Sequence, residues 1–297
     1  MFRRLSFAAA LSSFVIVATT GVLLAVDAQP AFKSSGFVDF FTHSVWNASI
    51  GKFGVFGLLV GTVLIATIAC CVAVPLGVGL AVFVNEYAPD RIRRALTSVV
   101  DLLAAIPSVV FALWGFWALQ GPLVGGALFI ANHLNVIPLF RSGRTDILTG
   151  SAFMGGVVAG FTILPTVTSI SRDVMAQCPR EQCEGALGLG KTRWEMVRMV
   201  ILPFSRPGII GAVLLGFGRA LGETIVITLM VQLVFDVNTR VLTQGGGSIA
   251  ELIAVKFGDA RGVESNALIG AGLGLFVVTL VVNMGARGVL TRTRRFA

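Results

Sequence analysis

Charge is scarce in this chain: Asp, Glu, Lys and Arg together make up 13% of its 297 residues. Soluble domains carry about a quarter of their residues as charge, so a water-soluble globular fold is excluded. Histidine is nearly missing. His43 and His133 are the only two and lie far apart, so there is no Ser/His/Asp set and no histidine-built metal cluster; both fit surface or interface positions. The four cysteines make no disulfide framework. Cys70 and Cys71 are adjacent in an apolar run, where neighbours cannot reach ordinary bridge geometry. Cys178 and Cys183 bracket "PREQ" with no further cysteine or histidine beside them. Free thiols in a reducing compartment are expected, with no metal, no cofactor and no catalytic set.

What the chain has instead is apolar length. Residues 53–85 and 102–140 carry no charged side chain, and runs beyond about 18 apolar residues are read as membrane spans. The N-terminus has Arg3 and Arg4 and then an apolar run from Leu5 to Val26. Signal-peptide cores are shorter, about 7–15 residues, and a small-x-small cleavage site is lacking. It is read as a retained first span, with cleavage as the alternative. Further spans are expected at about 54–84 (kinked at Pro75), 99–121, 150–171, 208–233 and 265–286.

Six spans put both termini on one side with the segments near 85–98 and 172–207. That side holds fifteen Lys and Arg residues, among them Arg91, Arg93, Arg94, Arg172, Arg180, Lys191, Arg193, Arg198, Arg206, Arg287, Arg292, Arg294 and Arg295, against seven on the other, Arg141, Arg144 and Arg240 among them. Basic residues favour the cytoplasm, so both ends are expected there. A seventh span within 122–140 would misplace basic clusters, so 122–148 is expected to be an outward-facing connection. Basic ends also account for the net charge of +8 without nucleic acid. Asp101 and the Arg172–Asp173 pair fit span ends, and Trp114 and Trp117 an aromatic belt.

Glycine clusters inside the spans: Gly156 to Gly160 and Gly218 to Gly222 are both G-x-x-x-G, and "GAGLG" begins at Gly270. Such spacing allows close helix approach within a bundle or against another subunit.

Residues 185–192, "GALGLGKT", fit the phosphate-loop pattern G-x-x-x-x-G-K-[ST]. A working phosphate loop follows a buried strand and opens a helix in an α/β domain. The preceding "RDVMAQCPREQCE" has no strand pattern, and the segment 172–207 is too short for such a domain. Nucleotide binding is rejected. The segment reads instead as two short helices broken at Gly190, with Leu187, Trp194, Val197, Met199 and Val200 as candidate apolar contacts and Pro203 limiting the second helix; a plain solvated loop is the alternative.

"EGALGLGKTRWEMVRMVILP" resembles the cytoplasmic loop of ABC-importer permeases: E-A-A, three residues, G, nine residues, a hydrophobic residue, any residue, then L-P. Glu184, Ala186, Gly190, Val200, Leu202 and Pro203 stand at matching positions, and Gly185 departs from the usual alanine. The resemblance implies an all-α, six-span fold of the MetI-like permease type. It also implies that this helix docks on a separate ATP-binding subunit.

The expected fifth span carries Arg219 and Glu223. An arginine at the centre of a span costs roughly 2.5–3.5 kcal/mol on insertion scales, so it faces a cavity or a partner. Four residues apart on one helix, the two would share a face and could pair. Either they neutralise each other for packing, or they line a solute path, where Arg219 offers forked donors to an oxyanion and Glu223 holds it when the path is empty.

"LLGFGRALGETIVIT" is similar to the corresponding helix of the phosphate-specific ABC transporter permeases. "VNEYAP", "LLAAIPSVVFALWG", "TSISRDV" and "ELIAVKF" share that likeness, and "IPSVVFALWG" with no proline just after "GET" favours the PstC type over PstA. The resemblance implies import of inorganic phosphate by alternating access, a second related permease, two copies of an ATP-binding subunit and an extracytoplasmic phosphate-binding protein. Residues 1–53 would form the first span and an external loop, and 54–297 the permease domain with the coupling loop at about 172–207. Permeases for molybdate or sulfate, a proton-coupled transporter using Glu223, and a non-transporting scaffold or channel subunit remain as alternatives.

Overall fold

The computed structural model describes residues 2–142 and 146–293. Of the basic residues weighed above, Arg144, Arg294 and Arg295 lie outside the described residues, as do the side chains of Arg3, Arg4, Arg287 and Arg292. Helix α1 (Phe2–Asp27) leads through α2 (Gln29–Ser35), α3 (Phe37–Thr42) and a two-stranded antiparallel ribbon, β1 (Trp46–Asn47) and β2 (Lys52–Phe53), into α4 (Phe56–Val82), which ends in a π turn over Phe83–Tyr87. Then come α5 (Asp90–Ala105), α6 (Ser108–Trp114), a π turn over Gly115–Leu119 and α7 (Gln120–Leu134). After α8 (Ala152–Met175) and α9 (Arg180–Gly188), α10 (Arg193–Met196) runs through a π turn over Val197–Ile201 into α11 (Leu202–Leu221). Helices α12 (Ile225–Met230), α13 (Ile249–Lys256) and α14 (Val263–Thr293) complete the described residues.

Among the described residues six helical stretches are long and apolar enough to cross a membrane: Leu5–Asp27, Phe56–Tyr87, Ser108–Leu134, Ala152–Met175, Arg193–Leu221 and Val263–Gly285. The chain is a multi-pass membrane protein. Four spans fall close to the sequence expectation, and two require correction. The expected 99–121 span is cut at Pro107, which has no N–H to give and holds Ile106 extended (φ −68°, ψ 129°). The amphipathic α5 therefore stands apart, and the third span is Ser108–Leu134. The first part of the expected 122–148 connection, residues 122–134, is thus helix within that span. The expected 208–233 span starts earlier, at Arg193, and ends at Leu221.

Helix α8 forms the axis, with 67% of its most apolar window buried, whereas α1 packs at the rim with none. Glycine sets the packing of α8 on α4. A Cβ on Gly156 would stand 2.6 Å from the Ile68 side chain, and one on Gly160 3.0 Å from the Ala69 carbonyl. The first G-x-x-x-G is therefore a packing surface. The second makes no such contact within this chain: Gly218 meets nothing within 4 Å, and Gly222 ends the helix. Gly270 and Gly274 receive the rings of Phe40 and Phe41 from α3.

Three buried clusters place the parts. Ile65, Ala69, Met154, Ile163, Leu221 and Ile227 fill the middle of the bundle. Ala81, Val82, Met175, Cys178, Met196 and Ile201 fill the end that carries α9, the hairpin end. Phe40, Phe53, Leu58, Ile249, Leu252 and Leu268 fill the opposite end, where the long loops gather.

Candidate functional site

At the hairpin end, α9 closes on Gly190, whose φ of +79° is a left-handed conformation that glycine adopts without strain. The Lys191 N–H donates to the Ala186 carbonyl (3.2 Å) and the Gly190 N–H to that of Leu187 (2.9 Å), the paired bonds of a Schellman cap. Thr192 then caps α10. Its Oγ1 accepts from the Glu195 N–H (3.2 Å), and a Glu195 carboxylate oxygen accepts from the Thr192 N–H (2.8 Å). This explains how the phosphate-loop pattern fails. The N–H groups of Leu189, Gly190, Lys191 and Thr192 that a phosphate would need are all bonded within the turn, and what precedes is a helix, not a strand.

The hairpin is fastened from behind. Cys178, Cys183, Ala186, Val200 and Leu202 pack with Met175, Met196 and Ile201, and Arg193 Nη1 donates to the Glu86 carbonyl (3.1 Å). Of the expected apolar contacts, Val197 is buried and Val200 half-buried. Leu187, Trp194 and Met199 face outward, as does Leu189, which sequence reasoning missed and which is 84% exposed. Glu184 is exposed on the same short helix. Two leucines and a tryptophan are thus left open around a rigidly capped turn. Pro203 does not end its helix: a π turn widens the ladder just before it, where proline would otherwise strike the carbonyl four residues back. The free segment between spans is consequently shorter than the expected 172–207, covering about 176–192.

Arg219 lies in the last turn of α11, beside the middle of α8: Gly216 stands against Val167 and Ile163, and Arg219 Nη1 donates to Thr166 Oγ1 (3.4 Å). The expected pairing with Glu223 is not made. The helix ends at Leu221 and Gly222 caps it, so the two residues share no helix face. Glu223 turns inward, 7% exposed, and accepts the Val226 N–H (3.3 Å) at the start of α12. No ion pair joins them among the described residues. The Arg219 side chain is left open, with one neutral partner.

Nearer the hairpin, Arg172 pairs with Asp173 (3.0 Å) and reaches Asp101 (3.8 Å), and its carbonyl accepts from Asn85 Nδ2 (2.8 Å). That network ties α5 and the α4 π turn to the end of α8. His43 sits 3.6 Å from Asp39, and the His133 ring meets the Phe129 carbonyl. No group of metal-ligating side chains forms among the described residues.

The family described as "Binding-protein-dependent transport system inner membrane component" matches residues 73–295. The chain belongs to that family. Among this permease's relatives is "Phosphate transport system permease protein PstC 2" of Mycobacterium tuberculosis, 39% identical over 96% of this chain and 90% of that one. Another is "Phosphate transport system permease protein PstC" of Haemophilus influenzae, 34% identical over 99% and 94%. Its fold is that of solved ABC transporters. A bacterial alginate transporter with a bound periplasmic protein matches with a TM-score of 0.63 at 19% identity over 97% of this chain and 94% of that one. The MetNI methionine transporter gives 0.58 at 13% over 80% and 95%. Permeases of this family are membrane components and not enzymes, in keeping with a hairpin whose amides are already engaged.

Proposed function

We propose that this permease carries inorganic phosphate across the cytoplasmic membrane as one subunit of an ATP-driven importer. The assembly would add a second related permease, two copies of an ATP-binding subunit and an extracytoplasmic phosphate-binding protein. Residues 54–297 form the permease domain, and 1–53 a first span with its external loop. The hairpin end, with both termini, faces the cytoplasm, because most of the basic residues gather there. The ATP-binding subunit grips the exposed Leu187, Leu189 and Trp194 around Glu184, Ala186 and Gly190, and Leu202 and Pro203 carry its movement into α11.

What carries the reading is the position of Arg219: a guanidinium midway along the bundle with a threonine hydroxyl for its partner and no carboxylate, in a chain whose relatives are named as phosphate permeases. An entering phosphate displaces a weak neutral bond, so it is held by forked charge-assisted bonds without first breaking an ion pair. Glu223 anchors the helix break that leaves Arg219 at its edge. The alternating-access step then moves α11 against α8.

The test is uptake of radiolabelled phosphate by cells that depend on this permease. Arg219→Gln should abolish uptake while the complex still assembles, and excess sulfate or molybdate should leave wild-type uptake intact. Full phosphate uptake by the Arg219→Gln variant, or uptake that survives loss of ATP hydrolysis, defeats the reading.

A further inference from the structure

At the loop end of the bundle, a cavity of about 190 Å³ opens beyond the tip of α12. A water occupies about 30 Å³ of liquid, so the space holds a small tetrahedral anion with part of its hydration shell. Its wall includes the apolar Phe116 and Met154 and four residues with polar side chains: Gln120, Thr149, Gln232 and Gln244. They come from the third span, the segment leading into α8, the residues after α12 and the glycine-rich loop of Gly245, Gly246 and Gly247. None of these four side chains is engaged by another protein group among the described residues. Three of the four carry unpaired carboxamides, and the backbone beneath Gln232 and Gln244 is pinned. The Gln232 N–H donates to the Gly150 carbonyl (3.0 Å), the Gln244 N–H to that of Ile147 (2.8 Å), and Ser151 bridges to Gln244.

We propose that this cavity is an outer staging site for the transported oxyanion, bound by Gln120, Gln232, Gln244 and Thr149 before it reaches Arg219. The proposal rests on the phosphate reading above. Its two polar stations stand at opposite ends of α12: the cavity at Gln232, and the Arg219 break at Glu223. Along α8 they are separated by the twelve helical steps from Met154 to Thr166, roughly 18 Å at 1.5 Å per step. Neutral amides suit the first station. They hold an anion less tightly than a guanidinium does, so it is handed on and not trapped. A carboxamide also presents both a donor and an acceptor. Phosphate at neutral pH carries a P–OH that the amide carbonyl can accept, while sulfate has no such proton and would leave that carbonyl unpaired. A site built to bond a hydroxyl rejects the analogue that lacks it.

The test uses the assembled transporter with its binding protein. Gln232→Glu and Gln244→Glu keep the shape and place negative charge where the anion would sit. Each should cut phosphate uptake at least tenfold with unchanged amounts of assembled complex. A merely structural glutamine at these open positions would tolerate the isosteric change. Independently, Gln244→Cys should react with a small charged thiosulfonate reagent, and millimolar phosphate should slow that reaction at least threefold where sulfate at equal ionic strength does not. Wild-type uptake by the glutamate variants, or equal protection by phosphate and sulfate, overturns the staging site while an inactive Arg219→Gln keeps the permease reading. A wild-type complex that imports no oxyanion overturns both.

Discussion

Arg219 and Glu223, four residues apart in sequence, stand on opposite sides of a helix break: the guanidinium reaches Thr166 on α8, and the carboxylate turns back to cap α12 through the Val226 N–H. Their roles separate accordingly. One is an open cation, the other a structural acceptor.

Glu223→Gln should therefore keep import, because a glutamine carbonyl can accept the Val226 N–H as the carboxylate does. Uptake at half the wild-type rate or better is the expected result. A proton-coupled transporter would lose uptake with the titratable group. Glu223→Ala removes the acceptor and should destabilise the break by about 1 kcal/mol, measured as a lower midpoint in thermal unfolding of the detergent-solubilised complex.

At Gly190 the cost is purely one of backbone conformation, since a Cβ there meets nothing within 4 Å. Gly190→Ala must hold φ near +79°, at about 1–2 kcal/mol. The turn should loosen, co-purification of the ATP-binding subunit should fall, and uptake should drop severalfold with the membrane spans intact. Gly190→Asn, which tolerates the left-handed region better, should lose less.

Gly156 is the opposite case, limited by space. A methyl group there would lie 2.6 Å from Ile68, and overpacking of this kind costs about 1–3 kcal/mol. Gly156→Ala should lower the thermal midpoint of the solubilised chain, and adding Ile68→Ala should recover part of the loss. Simple additivity of the two changes would argue against direct contact.

Glu251 caps α13 at the loop end, accepting the Ser248 N–H (3.2 Å), and burial pushes its carboxyl up from 4.5 to about 7. Between those values the folded chain binds the proton and the unfolded chain does not, so stability falls as pH rises through this window. The difference at pH 8 is on the order of 3 kcal/mol. Glu251→Gln keeps the cap without the charge. It should raise the unfolding midpoint at pH 8 and leave it nearly unchanged at pH 4.5, read by thermal unfolding across that range. An equal shift at both values would mean that burial of charge is not the cause.

The number of spans and the position of the hairpin were legible in the residues themselves, because both depend on local chemistry. An apolar run long enough to cross hydrocarbon needs no distant partner, and Gly190 followed by Thr192 and Glu195 specifies a helix end and a helix start within a few residues. The positive-φ turn also explains why a phosphate-loop pattern can occur where its amides are already used. The break at Pro107 was written locally as well, but a continuous apolar run concealed it. What only the tertiary structure decided is where side chains from distant segments meet. Whether Arg219 faces Glu223 or Thr166 depends on Gly222 ending one helix and on Gly216 letting α11 rest against α8. Gln120, Thr149, Gln232 and Gln244 lie scattered over more than a hundred residues, and only packing of the third and fourth spans against the glycine-rich loop brings them to one cavity. Periodicity reports which face of a helix is apolar; it carries no record of which neighbour that face will find.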